Sequence, residues 1–141
     1  MSHDPFDLDR FHAAQAPVYG QALGELRAGR KTGHWMWFVF PQIAGLGFSA
    51  MAERYAIGSL GEAQAYLADP LLGPRLVECV EALIGHAGVS AEDILGGVDA
   101  MKLRSSLTLF GAADPDQFLF QQALDRFFAG QGDPHTLARL A

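Results

Sequence analysis

HWMWFVFPQIAGLG, residues 34–47, is the stretch on which the reading of the whole chain turns. Trp35 to Phe40 are six consecutive large apolar residues that include both tryptophans of the chain, and Pro41 ends the run. Aromatic and branched side chains at this density suit either a strand buried on both faces or a short buried helix. No second segment offers a convincing partner strand, and an isolated strand leaves its backbone unsatisfied. The segment therefore reads as a short buried helix over 34–40 that stops before Pro41, followed by a glycine-bearing loop at Gly45 and Gly47.

Outward from this segment the chain is punctuated by helix signals. Asp-Pro occurs at Asp4-Pro5, Asp69-Pro70, Asp114-Pro115 and Asp133-Pro134. Aspartate can cap free helix N–H groups, and proline in the first turn loses no needed donor, so each pair is expected to start a helix. Phe6, Leu8 and Phe11 follow the first pair as inward contacts. A second helix runs from near Pro17 to Ala28, with Val18, Tyr19, Ala22, Leu23 and Leu26 on one face and Gly29 as its stop. Ser59 and Glu62 form a capping box, and Ser90 to Asp93 open a short turn of helix. A longer helix follows Gly73-Pro74, with Leu72, Leu76, Cys79, Val80, Leu83 and Ile84 repeating at helical spacing. Leu103, Leu107 and Phe110 follow Asp99 in the same register. Phe118, Leu119, Leu124, Phe127 and Phe128 mark the last long helix, and a stub follows Pro134. The expected fold is all-α: a compact single-domain bundle of about seven short helices, orthogonally packed, spanning residues 1–141.

Composition narrows the functional classes. A chain of 141 residues supports one continuous core. Only 18% of residues are charged, below the usual quarter, which leaves room for an apolar interface and for a monomer or weak homodimer. The net charge of −6 argues against nucleic acid and against anionic lipid as partners. Cys79 is the only cysteine, so an intrachain disulfide and a cysteine-based zinc site are excluded, in keeping with a reducing cytoplasm. The N-terminus has no apolar signal region and no run approaches membrane-span length, so a cytoplasmic protein without a membrane partner is expected.

With these segments in place, the chain resembles the domain of unknown function 1810 family. The resemblance runs through DPFDLDRF, AQAPVY, LRAGRKTGHWMWFVFPQ, YAIGSL, EAQAYLADPLLGPRL and KLRSSLTLF, and so covers nearly the whole chain. It implies a mainly helical single-domain fold, as in a mycobacterial member with no assigned activity. Some members carry the label calpastatin, yet nothing here is similar to the disordered repeats that name describes. The family offers no catalytic residues to carry over.

Two windows hold the chemistry-bearing residues. Arg30, Lys31 and His34 lead into Trp35, Trp37 and Gln42; Lys102, Arg104, Ser105 and Ser106 cluster further on. If the windows meet, they form a positive, hydroxyl-bearing pocket beside a tryptophan wall, suited to a small anionic molecule with a planar ring, such as a nucleotide. The same cations also fit a plainer arrangement, favourable charge at a helix C-terminus and a solvated helix face. His34 is the candidate acid or base, since its reference pKa lies near neutrality, or else a capping histidine. Trp35 and Trp37 diverge by about 200° on a helix, so one can fill the core while the other lines a cleft; both can equally be core. Ser105 and Ser106 sit awkwardly mid-helix, as ligand contacts or as small residues at a close crossing. Tyr55 and Tyr66 fit the core edge, and His86 and His135 the surface. The histidines show no metal-binding spacing, so no metal and no cofactor are expected. Two functional readings remain: a binder, with or without catalysis, of an anionic ring-containing small molecule through Arg30, Lys31, His34, Trp35, Trp37, Gln42, Lys102, Ser105 and Ser106; or a protein-interaction or homodimerisation module without catalytic activity.

Overall fold

The computed structural model describes residues 4–140; His3, counted among the histidines without metal spacing, lies outside them. Among the described residues there are ten helices: α1 Asp9–Gln15, α2 Tyr19–Ala28, α3 Met36–Val39, α4 Ala50–Arg54, α5 Leu60–Ala68, α6 Leu72–Ile84, α7 Ala91–Leu95, α8 Gly97–Ala113, α9 Phe118–Phe128 and α10 Pro134–Leu140. Seven have seven or more residues, and α3, α4 and α7 are single-turn pieces. The fold is all-α. None of these helices is long and apolar enough to cross a membrane.

Side-chain caps set most of the boundaries. The Asp4 carboxylate accepts from the Leu8 and Asp9 N–H groups at 2.8 and 2.9 Å. Asp69 accepts from Leu71 and Leu72 at the start of α6, and Asp133 from Thr136 at the start of α10. The fourth aspartate departs from expectation. Asp114 ends α8, and α9 begins only at Phe118, with Gln117 as its cap. Asp99 likewise lies inside the first turn of α8, whose N-cap is Gly96. The Ser59 hydroxyl accepts from Glu62 N–H at 3.1 Å, but the reciprocal Glu62 contact falls on Gly58 N–H rather than on Ser59. The Ser49 cap of α4 was not singled out in the sequence.

The core explains the element order. α8 packs against α5, α7, α9 and α10, and every residue from Ser105 to Phe110 is buried. A helix covered all round needs apolar or locally satisfied polar residues on every side. Thr108 meets this by donating to Arg104 C=O at 2.7 Å, while the buried Ser106 hydroxyl has no partner among the described residues. Tyr66 is fully buried rather than at the core edge, its hydroxyl accepting from Gln15 Nε2 at 3.1 Å. Phe118 turns outward at 77% exposure, and Phe120 takes the inward place. His86 is half-buried, 2.7 Å from Leu26 C=O at the end of α2. Gly73 allows α6 to start against α5, because a Cβ there would collide with Leu67 C=O.

The helix expected over 34–40 is shorter, the single turn α3 with Trp35 as its N-cap and Phe40 as its C-cap, and the strand alternative does not occur. Extended pairing appears just after it, as one parallel bridge between Ile43 and Ile57, with Ala44 N–H to Ile57 C=O and Ile57 N–H to Gln42 C=O at 2.8 Å each. The approach to α3 is fixed by Glu25. Its Oε1 accepts from Thr32 N–H, Gly33 N–H and Trp35 Nε1–H at 2.7, 2.8 and 3.0 Å, and Oε2 accepts from Gln21 at 2.7 Å. Burial alone would raise the pKa of this carboxyl, but these donors outweigh it and hold it down at about 2. A carboxyl depressed in the folded state stabilises above its unfolded value, near 4.5, and loses that contribution as pH falls toward 2. Glu25→Gln is thus expected to be less stable than the parent in urea unfolding at pH 7, the gap narrowing between pH 4.5 and 2. A gap independent of pH would show that the charge of Glu25 is not what holds the segment.

Candidate functional site

Three pieces of chain converge on a groove of about 770 Å³. One wall is the edge of α8, where Val98, Met101, Lys102 and Ser105 recur at i, i+3, i+4 and i+7 and so share one face. The second is α10, presenting His135, Ala138 and Arg139 at i, i+3 and i+4, with Asp133 before it. The third is Trp37 of α3 with the loop from Gln42 through Ser49 and Ala52 of α4. The volume falls in the range of roughly 300–1,000 Å³ typical of small-molecule sites.

The two tryptophans part company at the start of α3, where Trp35 is the N-cap and Trp37 lies within the single turn. Trp35 is 1% exposed in the core, tied by its indole N–H to Glu25, whereas Trp37 is half-buried and faces the groove. The ammonium of Lys102 lies 4.9 Å from the Trp37 ring centroid. Asp99 then joins the two windows: Oδ1 is 3.4 Å from Lys102 Nζ and Oδ2 is 2.8 Å from Lys31 Nζ. Lys31 also donates to Gly33 C=O at 2.6 Å and sits 5.1 Å from the Trp35 ring. One carboxylate thus serves two ammonium groups.

The windows therefore meet, but only part of each reaches the groove. Of the candidate residues, Trp37, Gln42, Lys102 and Ser105 line it. Trp35 belongs to the core, and Lys31 lies outside the lining, its side chain 10% exposed and paired with Asp99. Arg30 and His34 are exposed outside the lining, so the candidate acid or base stands apart from the groove. Ser106 points into the core, one helical step from Ser105. The Ser105 hydroxyl proton has two acceptors in reach, Met101 C=O at 3.2 Å and Asp133 Oδ2 at 3.3 Å.

The sequence reading overlooked His135 and Arg139 as lining residues, and it offered Arg104 only as a member of a window. Arg104 donates from Nε to Gln131 C=O and from Nη2 to Gly132 C=O, both at 2.9 Å. Arg139 reaches across the end of the groove to Gly45 C=O at 3.0 Å. These contacts span 27 to 94 residues of sequence, so no local pattern announces them. The signal that was available is on α8: Val98 and Met101 share the face of Lys102 and Ser105, opposite the Leu103–Leu107–Phe110 core stripe. Among the described residues no set of three His, Cys, Asp or Glu is placed to hold a metal ion. Cys79 is buried away from the groove, and that burial pushes its thiol up to about 12, so it is a protonated packing group near neutral pH.

Comparison with known proteins adds kinship without an activity. The crystal structure of the conserved hypothetical protein Rv1873 from Mycobacterium tuberculosis is similar at 55% identity, covering 97% of this chain and 98% of that one, with a TM-score of 0.96. No curated protein matches. The model of a family described as protein of unknown function (DUF1810) matches residues 5–140. On that match, over nearly its whole length, the chain belongs to the DUF1810 family.

Proposed function

We propose that the groove binds a small anionic molecule carrying a planar, nucleotide-like ring, and that the protein does so in the cytoplasm, where its single thiol stays reduced. The observation that carries this reading is the Lys102 ammonium stacked on Trp37 inside a locally cationic groove. Three of the ten Lys/Arg residues line it (Lys102, Arg104, Arg139) against one of sixteen Asp/Glu (Asp133), in a chain of net charge −6. An entering ring would take the Trp37 face from Lys102 and release the ammonium toward the anion. Phe48, 85% exposed at the rim, is available to cover the other face of the ring. Gln42, Ser49 and Ser105 supply orienting hydrogen bonds. Arg30, Lys31, His34, Trp35 and Ser106 act at most through the walls, and no catalytic residue is assigned.

A thermal-shift screen against nucleotides, dinucleotides and phosphosugars tests this reading, with tryptophan fluorescence as second readout. A ligand at 100-fold its Kd stabilises the fold by about 2.7 kcal/mol, a shift of several degrees. The expected result is stabilisation with quenching by at least one ring-bearing anion, lost in Lys102→Ala and Trp37→Ala. Stabilisation that survives both substitutions would contradict this assignment of the groove.

A second reading, a protein-interaction or homodimerisation module, is favoured by one feature. Phe48, Val98 and Met101, three of the six exposed large hydrophobic residues among those described, rim this same groove. Light scattering over a range of concentrations decides whether they drive self-association. That reading expects a dimer that Met101→Ser dissociates; a monomer at every concentration removes self-association.

A further inference from the structure

We infer that the anionic end of the groove's ligand is a phosphomonoester, held between Arg104 and Arg139; this rests on the ring-and-anion reading above and specifies its charge. The two arginines differ from the other cations near the groove in how they are held. Lys102 shares the Asp99 carboxylate with Lys31, so part of its charge is offset. Among the described residues, Arg104 and Arg139 are oriented by backbone carbonyls, those of Gln131, Gly132 and Gly45, and by no carboxylate. A carbonyl positions a guanidinium without cancelling its charge. Among the described residues the ion pairs involve Arg10, His12, Arg27, Lys31 and Lys102, and neither of these two arginines.

The one acid in the lining offers them little. Asp133 turns Oδ2 onto the Thr136 N–H at 2.9 Å and the Thr136 hydroxyl at 2.6 Å, with Ser105 at 3.3 Å. Arg104 and Arg139 thus line one groove with His135, and among the described residues no carboxylate lies within ion-pair distance of either arginine. A carboxylate would neutralise one of them. A phosphomonoester carries about −1.5 to −2 near neutral pH, with three acceptor oxygens, charge and acceptors enough for more than one guanidinium. Gly45 makes the arrangement feasible: its φ of +96° suits glycine, and a Cβ there would collide with the Arg139 guanidinium.

Fluorescence titration of the full chain separates this inference from the reading beneath it. The probes are the four common ribonucleoside 5′-monophosphates, the matching nucleosides and the matching nucleoside 5′-carboxylates. At least one monophosphate is expected to bind tenfold or more tighter than both its nucleoside and its carboxylate. Arg139→Gln is expected to remove most of that advantage, as is Arg104→Gln on the opposite wall. Arg139 is exposed, and urea unfolding of both variants checks that the fold survives. Equal affinity for monophosphate and carboxylate, with the nucleoside weaker, would overturn the phosphomonoester and leave the ring-and-anion reading standing. Binding that ignores the charge altogether, or no quenching by any probe, would overturn both.

Discussion

The Glu25 carboxylate is the constraint on which the rest of the site depends. It gathers two loop N–H groups and the Trp35 indole N–H on one oxygen, so the turn after α2 can close in only one way. Hydrogen bonds to a charged acceptor are stronger than neutral ones, and three on one atom leave the loop little freedom. With Trp35 drawn inward as the N-cap of α3, Trp37, two residues on, lines the groove with residues of α8 and α10. The tryptophan in the groove is thus placed by a carboxylate that never touches it.

α8 carries the second half of the arrangement. Most of its length is sealed by four neighbouring helices, yet Val98, Met101 and Lys102 stay open to the groove, with the buried Ser105 at the end of the same strip. A helix held this firmly makes a rigid wall, the kind of support on which site geometry is kept. Arg10 does comparable work elsewhere: its guanidinium joins Phe6, Asp7, Arg54 and Ala56 carbonyls and the Glu62 carboxylate, tying α1 to the end of α4 and the start of α5. The loop behind the groove is thereby anchored at both ends, by the Ile43–Ile57 bridge on one side and by Arg10 on the other.

The helices were legible in the sequence because their causes are local. Asp4, Ser59, Asp69, Ser90 and Asp133 cap with side chains at fixed short offsets, and Gly29 takes the left-handed conformation, φ +79°, that ends α2. Where a boundary is set by tertiary packing, local signals misled: Asp114 looks like its fellow aspartates but closes α8, and Phe118 sits in register yet faces solvent. The groove was half legible. Trp37, Gln42, Lys102 and Ser105 stand in windows rich in rare residue types. Arg139 reaches the site only through a contact 94 residues away, and Glu25 reads in sequence as an ordinary helix carboxylate. His34 attracted notice for its chemistry, but the turn that buries Trp35 leaves it on the outside.

The central claim is that one tryptophan is locked inside while the other faces a groove, and acrylamide quenching of single-tryptophan variants measures this directly. Protein retaining only Trp37, made as Trp35→Phe, is expected to be quenched several-fold more efficiently than protein retaining only Trp35, made as Trp37→Phe. Equal shielding of the two indoles, or a more accessible Trp35, would contradict it.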